Sequence, residues 1–291
     1  MTIHFNIEYR TLFGEQLVLN IQKEDEELRF PMTTLNGERW SFDWCVEQPA
    51  KVYTYYYSVE RDGRVLKTEW LLVKHRLELN ATKADEFTLY DSWKVIPEDA
   101  YLYSSAFTDC INHQAPEELA MQNCAKTVRL IVRAPQLRDG ERLGVVGADN
   151  VLGAWNAEKM LKMTQHTYNE WVADVDAVHL QTAHMEFKFV AYNEKKDLLF
   201  WETGMNRTID LPEMKAGDAI VYELDQAFFA LYNRKVAGTL VPVFSLRSEK
   251  SAGVGDFGDL KTMIDLVAST GQKVLQLLPI NDTTITHTWT D

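Results

Sequence analysis

The sequence predicts a mostly β chain: two immunoglobulin-like antiparallel β-sandwich modules, then a single β-α-β unit. Three observations predict it. Short segments with a two-residue hydrophobic period alternate with turn dipeptides over most of the chain. Landmark residues recur at an almost constant offset, so the two sandwiches read as copies. From about residue 230 the pattern changes to two apolar runs flanking an amphipathic helix.

The first module is placed at residues 1–112. Strand candidates are residues 3–7, 16–19 and 40–44, which alternate apolar and polar, and residues 52–59, almost wholly aromatic and β-branched. Asn36-Gly37 and Asp62-Gly63 supply turn chemistry between them. Residues 113–124 are read as a linker and residues 125–229 as the second module. Its strand candidates are 127–132, 143–146, 171–175, 186–190 and 208–211. Gly14-Glu-Gln-Leu17 matches Gly140-Glu-Arg-Leu143 at an offset of 126, whereas Trp40, Trp70 and Arg76 match Trp171, Trp201 and Arg207 at 131. The second copy therefore carries about five extra residues in the loop after its Leu143 strand.

Residues 230–291 form the third part. The run around Leu240-Val-Pro-Val-Phe244 predicts a buried strand. Asp256 or Asp259 is placed to cap a helix whose Leu260, Met263, Ile264 and Val267 share one face. Gly271 ends that helix, and Val274–Leu278 predicts a second strand, parallel to the first through a right-handed crossover. One such unit cannot cover its own apolar faces.

The chain has 291 residues, with 43 acidic against 30 basic side chains and a formal net charge of −13. That balance argues against nucleic acid and anionic membranes as partners and suits a neutral ligand. No secretory leader and no membrane-spanning run are read. The odd, widely spaced Cys45, Cys110 and Cys124 suggest reduced thiols, so a cytoplasmic location is expected. No metal or other cofactor is expected.

The stretches richest in binding chemistry lie in the second module. Trp155 sits on the inserted loop; Lys188 lies in a strand; Trp201, Glu202 and Asn206 follow. An exposed indole offers a flat apolar face to the C–H face of a pyranose. Two such indoles make a curved platform for an α-glucan, with Lys188 and Asn206 donating to hydroxyls and Glu202 accepting. The alternative for both tryptophans is the core, the place expected for Trp40 and Trp171.

Leu152-Gly-x-Trp155, Phe187-Lys188-Phe189 and Trp201-Glu202 with Asn206-Arg207 resemble carbohydrate-binding module family 20, the starch-binding module. The resemblance implies a glucan site at Trp155, Lys188, Trp201, Glu202 and Asn206, and a second, more variable site for which Phe13 and Tyr168 are candidates. The first module departs from the pattern. It lacks the tryptophan loop and, aligned through Trp70 and Arg76, sets Tyr57 against Lys188, Leu71 against Glu202 and His75 against Asn206. A degenerate site and a purely structural role both stay open for it.

Val241-Pro-Val-Phe-Ser-Leu-Arg-Ser248, Gly253-Val-Gly-Asp-Phe-Gly-Asp-Leu260 and Gln276-Leu-Leu-Pro-Ile-Asn-Asp-Thr283 resemble the opening of the (β/α)₈ barrel of glycoside hydrolase family 77, the 4-α-glucanotransferases. Tandem starch-binding modules before such a barrel resemble the plant cytosolic type. The resemblance implies retaining transfer between α-glucans through two carboxylates. These lie on later barrel strands, so no catalytic residue is assigned here and the chain alone is expected to bind without catalysing. Asn281 and Asp282 are candidate substrate contacts, with turn and capping roles as the alternative. Partners are α-glucans such as starch, glycogen and maltodextrins; the rival reading is a non-catalytic glycogen- or starch-binding scaffold.

Overall fold

In a computed structural model, all residues are described except 24, 25, 48, 50, 80–83, 85, 112–118, 120–123, 139, 168, 194, 196, 197, 231–236, 252, 279 and 281–291. The chain forms two compact units, Met1–Ser104 with Asn112–Tyr232, and Ser105–Ile111 with Asn233–Asp291. Tyr168, Asn281 and Asp282 lie outside the described residues.

The larger unit holds both sandwiches. In the first, β1 (Thr2–Glu8) pairs antiparallel with β5 (Arg39–Cys45), which also holds the short β4 (Thr33–Thr34). The facing sheet centres on β6 (Val52–Arg61). It pairs with β2 (Gln16–Lys23), β7 (Arg64–Thr68) and β8 (His75–Glu78), and β3 (Glu26–Pro31) lies outside β2. The strand β9 (Glu86–Ser92) runs parallel to β1. Period-2 patterning is visible in burial. Ile3, Phe5 and Ile7 of β1 and Tyr53, Tyr55 and Tyr57 of β6 point into one core, which also holds Trp40. Asp62-Gly63 closes the β6–β7 hairpin with both residues at positive φ, matching the twist that a two-residue turn requires.

The second sandwich repeats this wiring. The strand β10 (Thr127–Arg133) pairs antiparallel with β14 (Glu170–Asp176), itself flanked by β13 (Thr164–Thr167). The facing sheet centres on β15 (His184–Asn193), paired with β11 (Arg142–Gly147), β16 (Leu198–Trp201) and β17 (Arg207–Asp210), with β12 (Leu161–Lys162) outside β11. The last strand, β18 (Asp218–Glu223), runs parallel to β10. Trp171 is buried at the centre of this core, as expected.

The modules are fused through their sheets. β9 and β18 pair in parallel, from Asp218↔Glu86 to Tyr222↔Tyr90, making one eight-stranded sheet. β18 is consequently covered on both faces. Ala219 and Val221 join the first core, and Ile220 and Tyr222 join the second. These parallel pairs add to the antiparallel plan that the sequence predicts.

The smaller unit contains the expected β-α-β element. Parallel β19 (Gly238–Val241) and β20 (Val274–Leu277) flank α1 (Phe257–Ser269). Asp256 and Asp259 form a reciprocal capping box, and Gly271 sits at positive φ just past the helix. Leu240, Phe244, Ile264 and Leu266 remain exposed, as one β-α-β unit predicts. Among the described residues no helix is long and apolar enough to cross a membrane, and Cys45 and Cys124 are free thiols.

Candidate functional site

The candidate site is built on the outer face of β15. On this strand Met185, Phe187 and Phe189 enter the core, which turns Glu186 and Lys188 outward. Trp201 closes β16 opposite Val190 and is 40% exposed. Across β15, Val146 of β11 pairs with Lys188 and Gly147 with Phe187. The Gly147 carbonyl accepts the Trp155 N–H at 2.8 Å. The two indoles are thus anchored on the strands either side of β15, at register positions three residues apart along it, about 10 Å at about 3.3 Å per residue.

The Trp155 loop is held from below. Leu152 is fully buried, and the Asp149 carbonyl accepts N–H bonds from Leu152 and Ala154. Gly153, Ala154 and Trp155 all take left-handed φ, at 86°, 48° and 60°. Only glycine adopts that region without cost, and a Cβ at Gly153 would stand 2.6 Å from the Lys159 carbonyl. A tryptophan at φ 60° is a local strain of about 1 kcal/mol. The strained turn leaves Trp155 37% exposed. An indole in a strained, half-exposed position is unlike a packing residue.

Lys188 and Asn206 organise the loop that follows Trp201. Lys188 Nζ donates to the carbonyls of Glu202 (3.1 Å) and Gly204 (2.6 Å), leaving one ammonium donor uncommitted among the described contacts. Asn206 Nδ2 donates to Glu186 Oε1 at 2.7 Å and its amide is exposed. Met205, which the sequence reading passed over, is almost fully exposed beside them. Its signal was weak, because methionine within a polar loop carries no periodicity.

Glu202 is a correction. The sequence made it a sugar acceptor, yet its side chain is only 5% exposed. Its carboxylate accepts from Arg207 Nη2 (2.6 Å) and Nε and from the Phe189 N–H. It braces the strand and leaves no oxygen for the outer face.

The first module is also corrected. Leu17 and Leu143 fix the copies, because Leu17↔Val59 and Leu143↔Ala191 are corresponding pairs. Thr68, opposite Ser58, then corresponds to Trp201, opposite Val190. Tyr56 corresponds to Lys188, Glu69 to Glu202 and His75 to Arg207. The hydrogen bonds agree: Glu69 accepts the Tyr57 N–H and faces His75, as Glu202 accepts the Phe189 N–H and faces Arg207. The first module lacks both platform indoles, not one. Phe13 is fully exposed on a turn whose Gly14 has φ 82°, and Gly140 repeats that turn at 78°.

A second polar assembly lies at the junction of the modules. His75 is fully buried; its Nδ1 is 2.6 Å from Glu223 Oε2 and its Nε2 3.1 Å from Glu69. Tyr55 and Tyr57 donate to Asp91. Lys94 Nζ (2.6 Å) and Arg133 Nη1 (2.8 Å) both meet Glu223 Oε1. Burial alone pushes the imidazole down. Glu69, Glu223 and Asp91 together outweigh this and the opposing Lys94, and raise it to about 9. Burial likewise opposes the Glu223 charge, but Lys94, His75 and Arg133 hold it well below the usual carboxylate range. His75, Asp91 and Glu223 place potential ligand atoms within 4.8 Å of one another. With an imidazolium and two further fixed cations present, the cluster is an ion network and not a metal cage.

Comparison with known proteins bears out both resemblances. Residues 126–221 match the family model described as starch binding domain. Residues 241–290 match the model for 4-alpha-glucanotransferase. The 4-alpha-glucanotransferase DPE2 of Oryza sativa subsp. japonica is 28% identical over the whole chain, which spans 32% of that relative. The 4-alpha-glucanotransferase of Chlamydia trachomatis is 54% identical over 46 residues, 16% of this chain and 9% of its own length. The family 20 module of the maltotetraose-forming amylase from Pseudomonas saccharophila aligns over 34% of this chain and 99% of its own, at 20% identity and a TM-score of 0.27.

Proposed function

We propose that the outer face of β15 binds α-glucan, with Trp155 and Trp201 stacking on glucose rings and Lys188 and Asn206 donating to hydroxyls. The observation that carries this reading is the pair of half-exposed indoles on opposite sides of one strand, one held at left-handed φ. Glu202 acts behind the site as a brace. Phe13 is a candidate for a weaker second contact, as is Tyr168.

The match of residues 241–290 supports a parent protein that transfers α-glucan segments between glucans; transfer with retention, in the cytoplasm, is part of the same proposal. The modules then hold a long or branched glucan near the barrel and raise its local concentration. Asn281 and Asp282 are proposed barrel contacts. The 291-residue chain on its own binds and does not transfer.

Calorimetric titration of β-cyclodextrin into the chain and into a Trp155→Ala/Trp201→Ala double variant tests the site. The expected result is at least a thirtyfold loss of the main binding event with the fold retained. Unchanged binding overturns the assignment. Incubation with maltotriose should give no longer or shorter maltooligosaccharides; clear products would refute the binding-only role of this chain.

A further inference from the structure

The register correction leaves Trp70 without the role that its offset suggested. It is not on the sheet face at all. Its N–H donates to the Lys94 carbonyl, and its indole meets Tyr103 edge to face at 5.1 Å. Together with Trp93 these rings line a cavity of about 470 Å³ at the junction of the modules, completed by Lys94, Arg133, Glu223 and Gln226. This size falls within the range of small-molecule sites, about 300–1,000 Å³.

The chemistry of the walls selects the ligand class. Lys94 and Arg133 are both met by Glu223, and Arg133 also by Glu170. The floor therefore holds no surplus positive charge to draw a phosphate or carboxylate, and its carboxylates carry cations already. Lys94 Nζ is nearly fully buried and is held by Glu223 at 2.6 Å, so its charge is spent within the wall. Tyr103 donates to Gln226, whose amide donates to Asp99, so the rim is an ordered polar edge. Asp225 stands exposed beside it. Aromatic walls, a balanced floor and an ordered polar rim suit a neutral polyhydroxylated ring. A charged ligand would have to be desolvated without a counter-charge.

We infer that this junction cavity is a second saccharide site, built jointly by both modules and separate from the β15 face. It takes one or two pyranose rings of a neutral α-glucan, with Trp70 as the stacking wall and the Gln226 amide on the polar rim. It depends on the β9–β18 fusion, because Arg133, Glu223 and Gln226 come from the second module and the tryptophans from the first.

The test uses the 291-residue chain with Trp155→Ala/Trp201→Ala already in place and maltotriose as the probe. Titration should show residual millimolar-range binding, and the indole N–H resonances of Trp70 and Trp93 should shift saturably with sugar. Adding Trp70→Ala should weaken this event more than tenfold. Gln226→Leu, which keeps the volume, should weaken it several-fold with unchanged thermal unfolding. No shift at Trp70 and Trp93 overturns the inference, as does residual binding that survives both substitutions. If the double variant binds as tightly as the parent, the β15 assignment fails, and the resonance shifts still decide the junction cavity.

Discussion

His75 Nδ1 lies 2.6 Å from Glu223 Oε2, and this contact crosses from the first sandwich to the second. Both side chains are buried. The pair joins β8 to β18, next to the parallel seam of β9 and β18. Fusion of the modules therefore depends on a buried imidazolium as well as on apolar area. Breaking a buried ion pair by removing one partner costs about 3–5 kcal/mol, because the other charge stays behind.

A pH dependence follows. The folded pKa of His75 is raised to about 9 from an unfolded value of about 6.5. Its contribution is fully present below about pH 6.5 and is lost as pH rises through 9. Urea unfolding of the parent and of His75→Gln should show the largest gap near pH 6 and a much smaller one above pH 9. Lys94, whose pKa burial lowers, pulls the opposite way in both proteins. A gap that stays constant across this range would mean that His75 is neutral in the fold.

Trp201→Ala separates binding from packing. The side chain is 40% exposed and ends a short edge of the sheet, so its loss should move the melting temperature little. Removal of a stacking indole should weaken β-cyclodextrin or maltoheptaose binding by about 2 kcal/mol, roughly thirtyfold. If affinity falls only in step with unfolded protein, Trp201 is a structural residue.

The backbone at position 155 makes its own prediction. At φ 60° an alanine keeps the strain and a glycine releases it. Trp155→Gly should therefore be more stable than Trp155→Ala by about 1 kcal/mol, the reverse of their usual order. Both should lose glucan binding to the same extent. Paired denaturation curves and titrations check this, and equal stability would remove the strain argument.

Much of the fold was legible because burial follows a two-residue period along single strands. β1, β6, β10 and β15 could be placed from that pattern, and α1 from its face and its Asp256 cap. β9 and β18 were not. β18 is buried on both faces by two different cores, so it shows no alternation and resembles no half-exposed strand. Trp155, Lys188, Trp201 and Asn206 were found from residue type, and the structure sets them around one strand. The first module is misaligned because setting Trp70 against Trp201 gives an offset of 131, whereas the paired strands give 132 for Tyr56 and Lys188 and 133 for Thr68 and Trp201. A shift of one residue changes the face of every side chain. A shared residue type cannot reveal such a shift, and Trp70 pairs with Trp201 only as one tryptophan with another.

Glu202 and Asn206 lie four residues apart and should respond in opposite ways. Glu202 is inside, fixed by two nitrogens of Arg207 and the Phe189 N–H. Glu202→Ala strands the guanidinium, which also lies over the Phe189 ring at 5.2 Å. It should cost about 3 kcal/mol of stability, with affinity per folded molecule falling only moderately. Asn206 is outside, and its amide donates to Glu186. Asn206→Ala should leave unfolding within about 0.5 kcal/mol of the parent and reduce maltoheptaose affinity about tenfold, through a lost donor to a sugar hydroxyl. Denaturation and titration of both variants give four numbers. A stable Glu202→Ala protein that has lost its glucan would return Glu202 to the binding face and undo the brace.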